Sequence, residues 1–291
     1  MIRNKTRRFC YGFFIKTQEG TINMIFEQQE IPLWPALPPL SRGDEKAEEL
    51  PTLTLYRPPV WKSNRKALVI CPGGSYYTLA QHEGKGYAEY FAAAGFHCFV
   101  LKYRLGSNHY HHPAELSDAA RAVRLVRSAA GELGLRSDAI GIMGSSAGGH
   151  LAASLGNLYA KALTAPEEGE TAKISSRPDW SVLCYPVISA DPAFTHKGSF
   201  TLLTGSETPP EELLNDLSLE RSVHSDTPPA FLWHTVGDTG VPCENSIVFA
   251  RALRKYKIPF ELHIYEKGGH GTGLFAGHPW AEECIRWMNT F

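Results

Sequence analysis

Ala139-Ile140-Gly141-Ile142-Met143 runs without a break into Gly144-Ser145-Ser146-Ala147-Gly148-Gly149, and this join decides the fold. A short apolar run of this kind reads as a strand buried on both faces. The G-x-S-x-G pattern that follows is a cramped strand-to-helix bend with a serine at its apex. Glycines two before and two after that serine remove side chains that would collide, so the Ser146 hydroxyl projects toward a substrate. Ala147 to Leu155, A-G-G-H-L-A-A-S-L, opens a helix directly behind it. Ser146 is therefore the candidate nucleophile; the bland alternative is a glycine-rich turn carrying a solvated serine.

Outward from this join, strands and helices alternate. Upstream, Thr52 to Tyr56, Ala67 to Cys71 and His97 to Leu101 read as strands, and Lys85 to Ala94 as a helix ending at Gly95. From Pro113, the residues Leu116, Ala119, Val123, Val126, Ala130 and Leu133 recur at helical spacing as one apolar stripe. Arg121, Arg124 and Arg127 fall off the stripe and read as a solvated face. Downstream, Ser181 to Ile188, Ala230 to Val236 and Phe260 to Tyr265 read as strands, with helices at Cys243 to Tyr256 and Glu282 to Met288. This alternation predicts a doubly wound, mostly parallel α/β sheet, because a parallel crossover needs a helix to return the chain. Residues 31–291 read as one domain and residues 1–30 as an N-terminal extension. The proline-rich stretch 31–51 reads as an extended lead-in. Tyr159 to Pro178 and Asp191 to Ser225 are long for connectors and are expected to build a small cap over the site.

Composition bounds the function. The 291 residues are 43% hydrophobic and 20% charged, with a formal net charge of −1. That balance gives no electrostatic footprint for nucleic acid or an anionic membrane. No apolar run is long enough to span a bilayer. The basic start (Arg3, Lys5, Arg7, Arg8) precedes only a short apolar stretch with no small-residue cleavage site, so it does not read as a secretory signal. The six cysteines are scattered, with no C-x-x-C pair; Cys71, Cys98 and Cys184 fall in strands. They read as buried thiols in a reducing, cytoplasmic setting. No cofactor or metal is expected: nothing resembles a dinucleotide fingerprint, a P-loop or a calcium loop.

A serine hydroxyl needs a base to take its proton, usually a histidine oriented by a carboxylate. His270 lies in Lys267-Gly268-Gly269-His270-Gly271, a flexible glycine loop after the last strand, from which an imidazole can swing over the sheet edge. His263, inside the strand, and His278, before Pro279, are weaker candidates. Asp238, in Gly237-Asp238-Thr239-Gly240, directly follows a strand; Asp226 and Asp191 do not sit as well, and a plain Asx turn is the bland reading. The oxyanion that forms on the substrate needs preorganised backbone amides. Ala147, after the nucleophile, is one; Gly74 and Ser75, in Pro72-Gly73-Gly74-Ser75-Tyr76, are the others, with Gly73 an alternative. His109, His111 and His112 (H-Y-H-H-P) read as a loop at the surface or cleft rim. His150 reads as packing at the start of the nucleophile helix. Trp34, Tyr76, Tyr77 and Tyr110 suit either a sugar-binding cleft or the core.

Several of these stretches resemble a known family: Ile31-Pro32-Leu33-Trp34-Pro35, C-P-G-G-S-Y at Cys71 to Tyr76, L-K-Y-R-L at Leu101 to Leu105, G-S-S-A-G-G-H-L-A at Gly144 to Ala152, H-T-V-G-D-T-G-V-P at His234 to Pro242 and K-G-G-H-G at Lys267 to Gly271. They are similar to the α/β-hydrolase serine esterases, in the branch of acetyl xylan esterases and acetylesterases related to the hormone-sensitive-lipase group. The resemblance covers about Ile31 to Phe291. It implies a carboxylesterase for short acyl, above all acetyl, esters of xylan-type or other carbohydrate, without a cofactor. One departure is that related lipases carry H-G-G-G where this chain has Pro72-Gly73-Gly74-Ser75. An aryl-formamidase, amidase or peptidase would use the same machinery, and a non-catalytic binding protein would be expected to have lost part of it.

Overall fold

The structure, a computed structural model, describes residues 29–291; the basic N-terminal stretch and Cys10 lie outside them. The strands are β1 (Gln29–Pro32), β2 (Thr52–Tyr56), β3 (Ala67–Cys71), β4 (His97–Lys102), β5 (Ile140–Ser145), β6 (Ser181–Cys184), β7 (Ala230–Thr235) and β8 (Phe260–Tyr265). They form one eight-stranded sheet in the order β1-β2-β4-β3-β5-β6-β7-β8. From β4 to β8 every pairing is parallel, while β1 and β2 run antiparallel at one edge. The proline-rich lead-in is thus less peripheral than its composition suggests: Ile31 pairs with Leu53, and Leu33 and Trp34 are buried.

The apolar strands are continuous because both faces are covered. On β3, Ala67, Val69 and Cys71 face one core and Leu68 and Ile70 the other. Helices α2 (Ala114–Ser128), α3 (Ser146–Leu158) and α6 (Glu244–Lys255) pack on the first face; α1 (Gln81–Ala93) and α7 (Trp280–Met288) pack on the second. The doubly wound architecture read from the alternation is the one observed. Two elements stop short of their expected lengths. Helix α2 ends at Ser128 rather than near Leu133, and turns around Gly131 and Gly134 follow it. Strand β6 ends at Cys184 because Tyr185 takes φ +35° and a proline follows.

The two long connections differ in place. Residues 191–225 form α4 (Lys197–Thr204) and α5 (Glu211–Leu217). Helix α4 lies over the carboxyl edge of the sheet: Phe200 stands edge-on to His150, and the Leu202 carbonyl accepts from His111 Nδ1 at 2.9 Å. Residues 159–178 instead lie along α2. Glu168 accepts from Arg121 Nη1 at 3.2 Å and from Arg124 Nε at 3.0 Å, with its side chain buried. The expected solvated arginine face is therefore wrong: Arg121 and Arg124 are buried against this strap, and Arg127 pairs with Asp179 at 3.0 Å.

A second polar knot fastens the lead-in to the sheet. The fully buried Arg104 donates to Asp118 through Nε and Nη2, each at 2.9 Å, and to the Pro39 carbonyl at 2.6 Å. Trp34 Nε1 donates to the same carboxylate at 2.8 Å. Trp34, Tyr76 and Tyr110 are thus structural; of the four aromatics considered for a sugar cleft, only Tyr77 is exposed. Cys71, Cys98 and Cys184 are buried in their strands, and burial pushes the Cys184 thiol up to about 12. Among the described residues, no helix is long and apolar enough to cross a membrane.

Candidate active site

Because β3 to β8 are parallel, the loops that follow them leave one edge of the sheet. Strand β3 sits between β4 and β5, so the connection from β3 to β4 runs one way along the sheet and that from β5 to β6 the other, which opens a crevice between β3 and β5. The loop after β3 and the bend after β5 flank that crevice. Ser146 stands at the bend with φ +52°, a left-handed state that L-residues avoid. Its neighbours explain how it is held. A Cβ on Gly148 would overlap the Cys71 carbonyl, and one on Gly144 would overlap the Gly148 carbonyl. The helix can therefore press against β3 only with glycine at these positions.

The structure brings Ser146, His270 and Asp238 together. His270 Nε2 lies 2.8 Å from Ser146 Oγ, and His270 Nδ1 lies 2.7 Å from Asp238 Oδ2. A carboxylate only accepts, so the proton sits on Nδ1 and the Nε2 lone pair faces the serine hydroxyl. Asp238 is buried, and its Oδ1 accepts from the amides of Gly240 and Val241, each at 2.9 Å. Burial alone would raise its pKa. Hydrogen bonds from His234, His270 and the Val241 amide outweigh that and hold the carboxyl well below the usual range.

The His270 loop is less free than its glycines suggest. His82 Nε2 donates to the Gly271 carbonyl at 2.8 Å, Thr235 Oγ1 to the Gly268 carbonyl at 3.0 Å, and Trp280 Nε1 to the Gly273 carbonyl at 3.0 Å. Gly268 and Gly271 both take positive φ, so the glycines shape the turn around His270. Of the alternative histidines, His263 leans on Phe231 and His278 stacks on Tyr265. Neither meets Ser146.

In the loop after β3, Gly74, Ser75 and Tyr76 take φ +131°, +60° and +59° in succession. The Gly73 amide is committed: it donates to Glu83 Oε2 at 2.8 Å. The amides of Gly74, Ser75 and Ala147 donate to no other group among the described residues. His150 lies beneath this loop, with its Nδ1 2.9 Å from Tyr76 Oη and its Nε2 donating to the Leu217 carbonyl at 2.9 Å. Burial pushes it down to about 4, so it is a neutral packing histidine. His111 and the His112 amide bond to α4, which makes the H-Y-H-H-P loop a support for that helix.

Several supporting residues were not singled out from sequence. His234 Nε2 donates to the Val241 carbonyl at 2.8 Å and lies 3.4 Å from Asp238 Oδ2. The buried Asn245 accepts from the Ile188 and Ser189 amides at 2.9 and 3.0 Å and donates to the Pro242 carbonyl at 3.0 Å. It ties the loop after β6 to the loop that carries Asp238. The H-T-V-G-D stretch contained His234, but only tertiary contacts reveal what it does.

The sheet order, the left-handed serine at its crevice and the hydrogen-bonded histidine define an α/β-hydrolase with the geometry of a serine hydrolase. More narrowly, the profile of the BD-FAE family matches residues 53–253, and the chain belongs to that family. Among solved structures, an acetyl ester-xyloside bifunctional hydrolase from Caldicellulosiruptor lactoaceticus is 39% identical. It superposes with a TM-score of 0.81 over 90% of this chain and 96% of that one. Among curated proteins, endo-1,4-beta-xylanase B of Butyrivibrio fibrisolvens is 34% identical over 81% of this chain, and an acetylxylan esterase of Xylanibacter ruminicola is 34% identical over 72%. The chain spans only 41% of the length of each of these two curated relatives.

Proposed function

We propose that this protein is a serine carboxylesterase that removes short acyl groups, acetyl foremost, from xylan-type or related carbohydrate esters. The observation that carries the reading is the unbroken hydrogen-bonded line from Asp238 through His270 to Ser146. Ser146 Oγ attacks the ester carbonyl carbon, and its proton passes to His270 Nε2. The negative charge on the carbonyl oxygen is met by the amides of Gly74, Ser75 and Ala147. Collapse of the tetrahedral intermediate breaks the bond to the alcohol oxygen, which takes the proton from His270. Water then gives a proton to the same imidazole and attacks the acyl carbon; the bond to Ser146 Oγ breaks, Oγ takes that proton back, and the acid leaves. Asp238 stays ionised and stabilises the imidazolium in both halves. The carbohydrate ester assignment draws on the relatives named for acetylxylan esterase and acetyl ester-xyloside hydrolase. Placement in the cytoplasm rests on the buried free thiols alone.

The direct test is Ser146→Ala. Hydrolysis of p-nitrophenyl acetate should fall to background with the circular dichroism spectrum unchanged, and a fluorophosphonate should label the parent at Ser146. Retained turnover in Ser146→Ala would rule the mechanism out. A chain-length series of p-nitrophenyl esters should peak at acetate, and acetylated xylan should release acetic acid. Preference for long chains, or for an anilide or a formylated arylamine, would reassign the substrate.

A further inference from the structure

Glu83 takes no part in the steps above, yet it is buried in the first turn of α1 with both oxygens engaged. Oε2 accepts from the Gly73 amide at 2.8 Å, and Oε1 accepts from the Tyr185 hydroxyl at 2.6 Å. Tyr185 Oη lies 3.2 Å from Tyr87 Oη, which in turn accepts from Ser145 Oγ at 3.2 Å. Tyr185 gives its only hydrogen to the carboxylate, so Tyr87 must donate to Tyr185. Each hydroxyl hydrogen in the chain then points toward Glu83. Burial raises the Tyr87 and Tyr185 phenols well above their usual values, so both remain donors.

These hydrogen bonds reach the oxyanion loop, the serine bend and the His270 ring. Gly73 immediately precedes the amides assigned to the oxyanion, and Ser145 immediately precedes Ser146. The Tyr185 ring stands edge-on to the His270 imidazole, with centroids 5.2 Å apart and planes at 72°. The fit at Gly73 is tight: a Cβ there would lie 2.5 Å from Glu83 Oε2 and 3.1 Å from Ser146 Cβ. Taking a carboxylate out of water costs several kcal/mol, so packing alone does not account for an acid here. An acceptor for two donors from two different loops does. By engaging the Gly73 amide, Glu83 also leaves the next two amides to face the substrate.

We infer that Glu83 is a positioning residue for the esterase reaction: its carboxylate fixes the Gly73–Ser75 loop and, through Tyr185, the face of the His270 ring relative to Ser146. The inference rests on the proposed roles of Ser146, His270 and the loop amides.

The test compares Glu83→Ala, Glu83→Gln and Tyr185→Phe with the parent, well below their unfolding temperatures. The readouts are kcat and KM on p-nitrophenyl acetate and the inhibition constant of an aryl trifluoromethyl ketone, whose adduct with serine carries the oxyanion. Glu83→Ala should lower kcat by about 10- to 100-fold, with KM within about twofold, and weaken the ketone in parallel. Glu83→Gln, which can still accept from Gly73 and donate to Tyr185, should recover most of the loss. Full kcat in Glu83→Ala, a fall in kcat with unchanged ketone binding, or a Gln variant as poor as Ala would each overturn the proposal. If Glu83→Ala does not fold, Tyr185→Phe decides: parallel losses in kcat and ketone affinity support it, and parent values overturn it. Ser146→Ala runs alongside; activity persisting there would sink the esterase reading itself, a failure distinct from any of these.

Discussion

Ser146 holds a backbone conformation that costs an L-residue about 1–2 kcal/mol, and its surroundings keep it there. Gly144 and Gly148 permit the bend, and the Ser146 carbonyl accepts from the Val187 amide at 3.0 Å. Asp238 is held as firmly, and its ionisation is what fixes the tautomer of His270. In Asp238→Asn the new NH2 group would face donors from His270, Gly240 or Val241, and the imidazole would be driven to the other tautomer. We expect kcat on p-nitrophenyl acetate to drop by about 10⁴ with little change in KM, measured by steady-state kinetics. A loss below tenfold would mean that Asp238 does not orient the base. At this scale Ser146, His270 and Asp238 were legible because each sits in a local pattern, glycines beside a reactive side chain after a strand. Glu83, His234 and Asn245 were not legible. Their partners lie far away in the chain, and no spacing rule links position 83 to positions 73 and 185.

Among the elements, strands were read best, since burial on both faces leaves an apolar signature that needs no knowledge of neighbours. Helix α2 shows where that logic stops. Periodicity identified which residues avoid the apolar stripe, but it carries no information about what covers the opposite side. There the strap 159–178 delivers Glu168 to Arg121 and Arg124, and Ala165 N donates to Glu168 Oε1 at 3.0 Å. Removing the acid would leave two buried guanidinium groups without their counter-ion. Glu168→Ala should cost about 3–5 kcal/mol, read as a lower urea midpoint with an unchanged slope. A midpoint equal to the parent's would show that the arginines find water or other acceptors. Glu168→Gln, which keeps the hydrogen-bond acceptor and loses the charge, should fall between the two.

For the molecule as a whole, two carboxyl groups pull the pH dependence of stability in opposite directions. Glu115 is fully buried on α2, and neither of its oxygens has a partner among the described residues. Burial pushes its pKa well above the usual value, so the native state keeps a proton that the unfolded chain releases above pH of about 4.3. Stability must therefore fall as pH rises from there toward the raised value. Asp238, depressed in the native state, contributes stability above the usual aspartate range that is lost as pH falls. Glu115→Gln should unfold at higher urea than the parent at pH 8 and by a smaller margin at pH 5. A margin independent of pH would show that Glu115 is ionised in the folded protein. The doubly wound, mostly parallel architecture was legible from the alternation of elements, but the strand order and the antiparallel edge strand β1 were not. The balance of buried charge was not, because it depends on which side chains meet once the sheet has formed.

The Arg104 knot bears on how such a unit can be moved between proteins. The family profile spans residues 53–253, which leaves out the tryptophan that holds Asp118, the proline carbonyl that holds Arg104, and the imidazole at position 270 as well. A graft or recombination joint placed at the profile's borders would transplant the nucleophile without its base and strand a guanidinium and a carboxylate in a half-open interior. The contacts to be kept run from Gln29, where β1 pairs with β2, through Met288, whose carbonyl receives Lys66 Nζ at 2.8 Å, to Phe291, which stacks on Trp180. Fusion partners therefore belong before Gln29 and after Phe291.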